Sequence, residues 1–381
     1  MRIKPGPVCC IIPPHMLEAI AQHGSLIQRD LAIKTLAASL EIHDQRPSLA
    51  SISKAAARLV PSEAAAGMVC NIYDAEHTNT LPGRLVRRQG DAPSTDPAVN
   101  EAFDGADATY NLYAQIYNRN SIDGNGARID SSVHYMQGYD NAFWNGRQMV
   151  YGDGDEDLEP EEQIFRRFTI AIDVIGHELT HGITQNEAAL VYSGQSGALN
   201  ESFSDVFGSL VKQHLRNQTA AEADWLIGQG LFTANVTAQG VRSLKAPGTA
   251  YDDPLLGKDP QPAHMRDYNN TTEDNGGVHI NSGIPNHAFY VAALEMGGYA
   301  WEKAGRIWYV ALCDKLNPES NFAECADQTF TVAGKLFGEG SLEQQAVRKG
   351  WAEVGINVQA APEPPGCMET MRLLLQRPTT R

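Results

Sequence analysis

Apolar positions recur at helical spacing near the start of the chain. Met16, Leu17, Ile20 and Ala21 follow Pro13-Pro14, and Leu26, Ile27, Leu31, Leu36 and Leu40 mark a second stripe. Residues 1–50 therefore predict a helical hairpin, which cannot bury its stripe alone and must dock on a larger body. The small residues from Arg46-Pro47 to Ala66 read as a linker of weak secondary structure. Between Met68 and Tyr151 the texture changes to short apolar runs divided by Thr80-Leu81-Pro82-Gly83, Asp123-Gly124-Asn125-Gly126 and Asn145-Gly146. Residues 133–136 and 148–151 are strand candidates, Asn145-Gly146 a hairpin turn, and 98–117 a helix. This stretch predicts a mixed lobe with an antiparallel sheet.

An acidic stretch, 153–162, reads as a solvated surface turn, because it lacks the ligand spacing of a calcium loop. Beyond it Phe165, Phe168, Ile172, Ile175 and Leu179 line a stripe too apolar for a surface helix, so that helix is central. A second helical pattern spans 197–208 after Ser193-Gly194. Residues 236–261 are turn-rich. From Ile284 to Ile356 helical patterns alternate with Gly and Pro breaks, predicting a helical second lobe, and the tail from Asn357, with Pro362-Glu363-Pro364-Pro365, reads as an extension. No internal repeat is present.

Composition narrows the function classes. At 381 residues the chain is long enough for two lobes and an appendage. A formal charge of -16 argues against nucleic acid or an anionic membrane surface as partner. No apolar run approaches the ~18 residues of a membrane span. Arg2 and Lys4 precede Val8-Cys9-Cys10-Ile11-Ile12, but Pro13-Pro14 ends that run before a signal-peptide core is complete. The six cysteines show no CxxC spacing and are too few for a disulfide scaffold. Cys313 and Cys325 could pair across a turn at Asn317-Pro318; buried free thiols are the expected state.

The candidate chemistry begins within the central helix, at His177-Glu178-Leu179-Thr180-His181. Residues four apart share a helix face, so both imidazoles can meet one metal ion while Glu178, turned aside, holds a proton. The five-residue pattern alone also fits a solvated helix face. The apolar stripe weakens that alternative, since buried histidines and a buried glutamate need partners. Downstream, Glu201 and Asp205 stand four apart, and Glu201 is the natural third ligand from a second helix. Asp205 or Asn200 would then accept the free ring N–H of a ligating histidine. The Asp274-Asn275-Gly276-Gly277 turn leaves His279 presented from a loop, with Asp274 near enough to orient it.

With these motifs in view, the chain resembles the thermolysin family of zinc metalloendopeptidases. The match runs in order through Asn-Ala-Phe-Trp-Asn-Gly at 141–146, HELTH at 177–181, Asn-Glu-x-x-Ser-Asp at 200–205 and Gly-Gly-Val-His-Ile-Asn-Ser-Gly at 276–283, within a similarity from about Thr80 to Ile356. The resemblance implies an α+β thermolysin-like fold: an N-terminal mixed lobe with an antiparallel sheet, a central zinc-binding helix and a C-terminal helical lobe, preceded by a short helical propeptide. The expected division is propeptide 1–50, linker 51–67, N-terminal lobe 68–190, C-terminal lobe 191–356 and extension 357–381.

The resemblance also implies one catalytic zinc on His177, His181 and Glu201, with Glu178 as the base that activates water and returns the proton to the leaving amine. His279, oriented by Asp274, and Tyr192 would stabilise the oxyanion. Asp205 and Asn200 match the partners of the zinc histidines. Asn141, Ala142 and Arg242 correspond to groups holding the substrate backbone. Phe165, Phe168, Val174, Ile227 and Val241 would line a pocket for a bulky apolar residue just after the cleaved bond. Where the family carries calcium-binding acids, this chain keeps Asp173 and Asp224 but has Lys212, Leu226 and Gln229, and elsewhere Arg88, Gly90 and Gln239. Calcium is therefore doubtful, with Lys212 expected to pair with Asp173.

The short leader with Pro13-Pro14-x-x-Leu17 is similar to the protealysin branch, implying a self-removed propeptide that inhibits its own enzyme. Two modes are open: the leader packs over the cleft, or a Cys9 or Cys10 thiolate reaches zinc. The expected partners are polypeptide substrates, with the protein a monomer. The expected location is extracellular, by a route other than a readable signal peptide, or cytoplasmic until release. An aminopeptidase, or a silent zinc-binding module, is the competing class. The first would need carboxylates for a substrate amine, and the second would lack Glu178, His279 or Tyr192.

Overall fold

A computed structural model describes residues 9–39 and 67–359, and of Cys9 only the backbone. Pro13 caps and Pro14 opens helix α1 (Pro14–His23), whose Met16, Leu17 and Ile20 are buried. Helix α2 runs through 26–39. Its expected stripe is only partly right. Leu26 and Ile27 are 84% and 50% exposed, while Leu31, Ala32, Thr35 and Ala38 face the body. The helix rests on the segment 138–140 instead: Leu31 lies over Gly138, and Asp140 N donates to Thr35 Oγ1 at 3.1 Å. Leu40 and the linker lie outside the described residues, as does the tail beyond Gln359.

Six short strands form one sheet: β1 (Cys9–Cys10), β2 (Cys70–Asp74), β3 (Arg84–Arg88), β4 (Ile129–Val133), β5 (Ala142–Trp144) and β6 (Met149–Tyr151), in the order β1-β5-β6-β4-β2-β3. The β5–β6 hairpin turns at Asn145, whose side chain accepts from the amides of Arg147 and Gln148. The sheet is mixed rather than antiparallel throughout, because β4 runs parallel to both β2 and β6. β4 also stops at Val133. His134 and Met136, expected in the strand, take left-handed φ values of 55° and 52° that break the ladder. Helix α3 (Pro97–Tyr117), capped by the Asp96 carboxylate on Ala98 N, covers the sheet with Ala102, Ala106 and Leu112 buried.

Helix α4 (Ile172–Asn186) is buried from Asp173 through Thr184, and α5 (Gly194–Arg216) from Ser196 through Gln213. Their closest approach is made by glycines. A methyl on Gly208 would lie 2.4 Å from the Asp173 carbonyl oxygen, and one on Gly176 3.1 Å from Gly208 Cα. The chain then makes two ribbons, β7 (Leu226–Ile227) with β8 (Arg242–Ser243) and β9 (Asp252–Asp253) with β10 (Gly257–Lys258). Strands of two residues carry no alternation to read. Helices α6 (Asp274–Asn281), α7 (Gly283–Met296), α8 (Ala304–Asp314), α9 (Phe322–Phe337) and α10 (Leu342–Glu353) complete the helical part.

One further expectation changes and one holds. The acidic stretch is not wholly solvated, since Asp155 is buried and accepts from the amides of Ile164 and Phe165 at 2.8 and 2.9 Å. Cys70, Cys313 and Cys325 are free thiols as expected, so Cys313 and Cys325 are not bridged.

Candidate active site

One turn of α4 separates His177 from His181, and their Nε2 atoms stand 3.0 Å apart. The other ring nitrogen of each is held: His177 Nδ1 donates to Asp205 Oδ1 and His181 Nδ1 to Asn200 Oδ1, each at 2.8 Å. Both Nε2 atoms are thereby left as lone pairs pointing at one another. From α5, Glu201 brings Oε2 to 3.5 Å of His177 Nε2 and Oε1 to 3.4 Å of His181 Nε2. All three side chains are buried, and Glu201 Oε2 has no hydrogen-bond partner among the described residues. Two imidazole lone pairs and a carboxylate converging in a buried site repel one another unless a cation lies between them, so the donor set fits a zinc ion.

Around this triad the α4–α5 pair supplies the surroundings. Burial alone would raise the Asp205 carboxyl, but Arg242 and His177 outweigh it and hold it below the usual range. Arg242, itself buried, donates Nε to Asp205 Oδ2 at 2.8 Å. Glu178 Oε2 accepts from the backbone N–H of Trp144 on β5, at 2.9 Å, which fixes the carboxylate against that strand.

His279 does not sit on a loop as expected. It lies in α6, after Asp274 to Gly277 have passed through left-handed φ values, and Gly276 lets that turn approach Gly194. Asp274 holds it twice, accepting from His279 N at 2.8 Å and meeting Nδ1 at 2.6 Å. Burial lowers the His279 imidazole, yet Asp274 and Glu201 bring it to about 9. Tyr192 Oη lies 3.1 Å from His279 Nε2 and donates to Glu201 Oε1.

The leader occupies the groove between these groups. β1 pairs antiparallel with β5, Cys9 opposite Trp144 and Cys10 opposite Phe143. The Cys10 carbonyl is 3.0 Å from His279 Nε2, Ile11 N donates to Ala142 O at 3.1 Å, and Arg242 Nη1 donates to Ile11 O at 2.9 Å. Asn141 brackets Ile12, its Oδ1 accepting from Ile12 N at 2.9 Å and its Nδ2 donating to Ile12 O at 3.1 Å. The Ile11 side chain is fully buried in the apolar cluster that also contains Phe165, Phe168, Val174, Ile227 and Val241. Cys10 is not one of the three grouped ligand residues. It packs in a second cluster with Tyr135, Tyr139 and Phe143, and the Cys9 side chain lies outside the described residues.

The expected catalytic, metal-binding and backbone-binding residues therefore converge on one groove, while the five pocket candidates are buried in the same main apolar core as Ile11. Sequence reasoning missed Trp144, whose contribution is a backbone amide and so has no side-chain signal. It also missed Asn286, which donates Nδ2 to Asp205 Oδ2 at 2.8 Å from one turn into α7, and Gln261, which donates to the His279 carbonyl at 2.7 Å.

Sequence comparison agrees with this geometry. The profile of the thermolysin metallopeptidase catalytic domain matches residues 45–185, and that of the thermolysin metallopeptidase alpha-helical domain matches 188–356. An extracellular metalloprotease of Pectobacterium carotovorum subsp. carotovorum is 49% identical over 94% of this chain and 99% of its own. A thermolysin of Alicyclobacillus acidocaldarius subsp. acidocaldarius is 39% identical over 74% of this chain and 50% of its own. Among solved structures, the precursor of protealysin, a metalloproteinase from Serratia proteamaculans, superposes with a TM-score of 0.81 at 52% identity, covering 91% of this chain and 99% of its own.

Proposed function

Because the chain belongs to the thermolysin family of metallopeptidases, we propose that it is a zinc endopeptidase whose own leader blocks the cleft until it is removed. Zinc would be held by His177, His181 and Glu201, supplying a water acidic enough to attack near neutral pH and a charge that polarises the scissile carbonyl. Glu178, anchored by Trp144 N, takes the proton from the attacking water and delivers it to the leaving amine. His279, oriented by Asp274, and Tyr192 donate to the oxygen on which negative charge develops. Asn141, Ala142 and Arg242 align the peptide backbone by the contacts they now make to Ile11 and Ile12.

The observation that carries this reading is the register of the leader. The Cys10 carbonyl faces His279 while the following Ile11 carbonyl faces Arg242, so residues 9–12 lie through the groove as an extended polypeptide would. A chain that continues on both sides of the reacting position favours internal cleavage over removal of a terminal residue. The buried Ile11 supports a preference for a bulky apolar residue just after the cut, in the pocket of Phe165, Phe168, Val174, Ile227 and Val241. The backbone contact of Cys10 favours steric blockade over a Cys10 thiolate on zinc. We further propose that calcium is not used, that the leader spans about the first fifty residues, and that the enzyme acts outside the cell as a monomer.

Casein cleavage by the processed protein tests the core of this reading. Cleavage is expected to vanish with a zinc chelator and in Glu178→Ala, while that variant still binds zinc. Undiminished cleavage by Glu178→Ala would end the mechanism.

A further inference from the structure

In the interior of the sheet, three adjacent parallel strands end together. β6, β4 and β2 are neighbours, and each presents one metal-ligating side chain just beyond its carboxyl end: Asp153 after β6, His134 after β4 and His77 after β2. One ligand atom from each lies within 4.8 Å of the others. His134 Nδ1 is 2.9 Å from Asp153 Oδ2, and His77 Nδ1 is 3.5 Å from the same oxygen. The rings of His77 and His134 are 5.4 Å apart.

We infer that His77, His134 and Asp153 form a second divalent metal site, selective for a zinc-like transition ion and separate from the peptidase centre. The far nitrogen of His134 repeats what holds the ligands of the first site. Its Nε2 meets the Asp96 carboxylate at 2.7 Å, so a carboxylate fixes the ring while Nδ1 faces the partners. Two imidazoles and a carboxylate suit zinc, copper or nickel and not calcium, which takes oxygen ligands. At zinc–ligand distances of ~2.1 Å, the ligand atoms of a tetrahedral site are roughly 3.4 Å apart. The His77 pair already has that separation, and the His134 pair needs to open by about half an ångström.

The backbone is built to hold these groups. His77 and His134 both sit at a left-handed φ of 55°, a conformation costly for residues other than glycine, and His77 N donates to the His134 carbonyl at 2.9 Å. A cavity of about 270 Å³ opens over them, lined also by Asp96, Asp157 and Arg167. Arg167, which also lines the cavity, is taken up by Glu101 and Glu156 at 2.5 and 2.9 Å. Asp153 and Asp96 raise the His134 imidazole to about 9 against the effect of burial, so an incoming metal displaces its Nδ1 proton. A metal here would tie together the ends of three strands.

Zinc bound per chain measures this directly. The untagged full chain, dialysed against zinc and analysed by elemental mass spectrometry, is expected to hold two ions. His77→Ala and Asp153→Asn are each expected to hold one, as is His177→Ala. His77 is 58% exposed in its side chain, so its replacement leaves the fold intact. One zinc in the parent would overturn the inference and reduce the cluster to an ion network. Two retained in His77→Ala would overturn it as well, by placing the second ion elsewhere. The His177→Ala count separates this site from the peptidase reading, since that variant loses the first site alone.

Discussion

Lys212 carries its ammonium into the interior of α5, where it meets Asp173 Oδ2, Asp224 Oδ1 and the Leu226 carbonyl at 2.8, 2.7 and 2.7 Å. The pair with Asp173 is the one expected from the sequence, and at Leu226 it is the backbone oxygen, not the side chain, that faces the cation. Lys212→Ala would leave the Asp173 carboxylate buried without a counter-charge. A loss on the order of 3–5 kcal/mol is expected in urea denaturation, and added calcium should not shift the melting temperature of the parent. A calcium-dependent melting temperature in the parent would overturn the proposed absence of that ion. At this scale the sequence was most informative where chemistry repeats a spacing, as at His177, His181 and Glu201. It was least informative where the backbone acts, as at Trp144 N on Glu178.

At the scale of elements, the distance between α4 and α5 decides whether Glu201 can meet the two histidines. Gly208 sets that distance, since a Cβ there would press on the Asp173 carbonyl and lie 3.0 Å from His177 N. Gly208→Ala is expected to cost about 1–3 kcal/mol by overpacking and to lower zinc content together with stability. Elemental analysis alongside a melting curve would distinguish this from a purely local strain. Helix α1 makes a second, pH-dependent contribution. Burial lowers the His15 imidazole from 6.5 to about 4, with Asp274 opposing and His279 and Arg242 adding to the shift. Its Nε2 is 2.9 Å from Tyr251 Oη, and its Nδ1 has no hydrogen-bond partner among the described residues. The docked leader thus favours neutral His15. This contribution to docking is complete above pH 6.5 and declines as pH falls from there toward 4. Inhibition of the processed enzyme by added leader peptide should weaken over that range, and His15→Gln should flatten the slope. An unaltered slope in the variant would assign the effect to another group.

For the whole molecule, the succession of a mixed lobe, a central helix and a helical lobe was legible because long amphipathic segments such as residues 97–117 and 172–186 carry many concordant positions. Pairing between distant strands was not. Nothing in residues 70–74 or 129–133 announces that they run parallel, since a parallel neighbour is chosen by the crossover between them rather than by either strand. The leader shows the same limit. Its helices were readable from proline and leucine spacing, but the burial of Leu31 in place of Leu26 depends on the surface at Gly138.

If the leader is removed as proposed, the position of β1 at the outer end of the sheet has a consequence for the protein that is left. β5 would then be a rim of unpaired amides and carbonyls beside an apolar trough, the kind of border that recruits stray chains. A protease must keep such a border open to work, and so each active copy is also a template for any loosened neighbour. On the proposed reading the leader covers that border until it is removed.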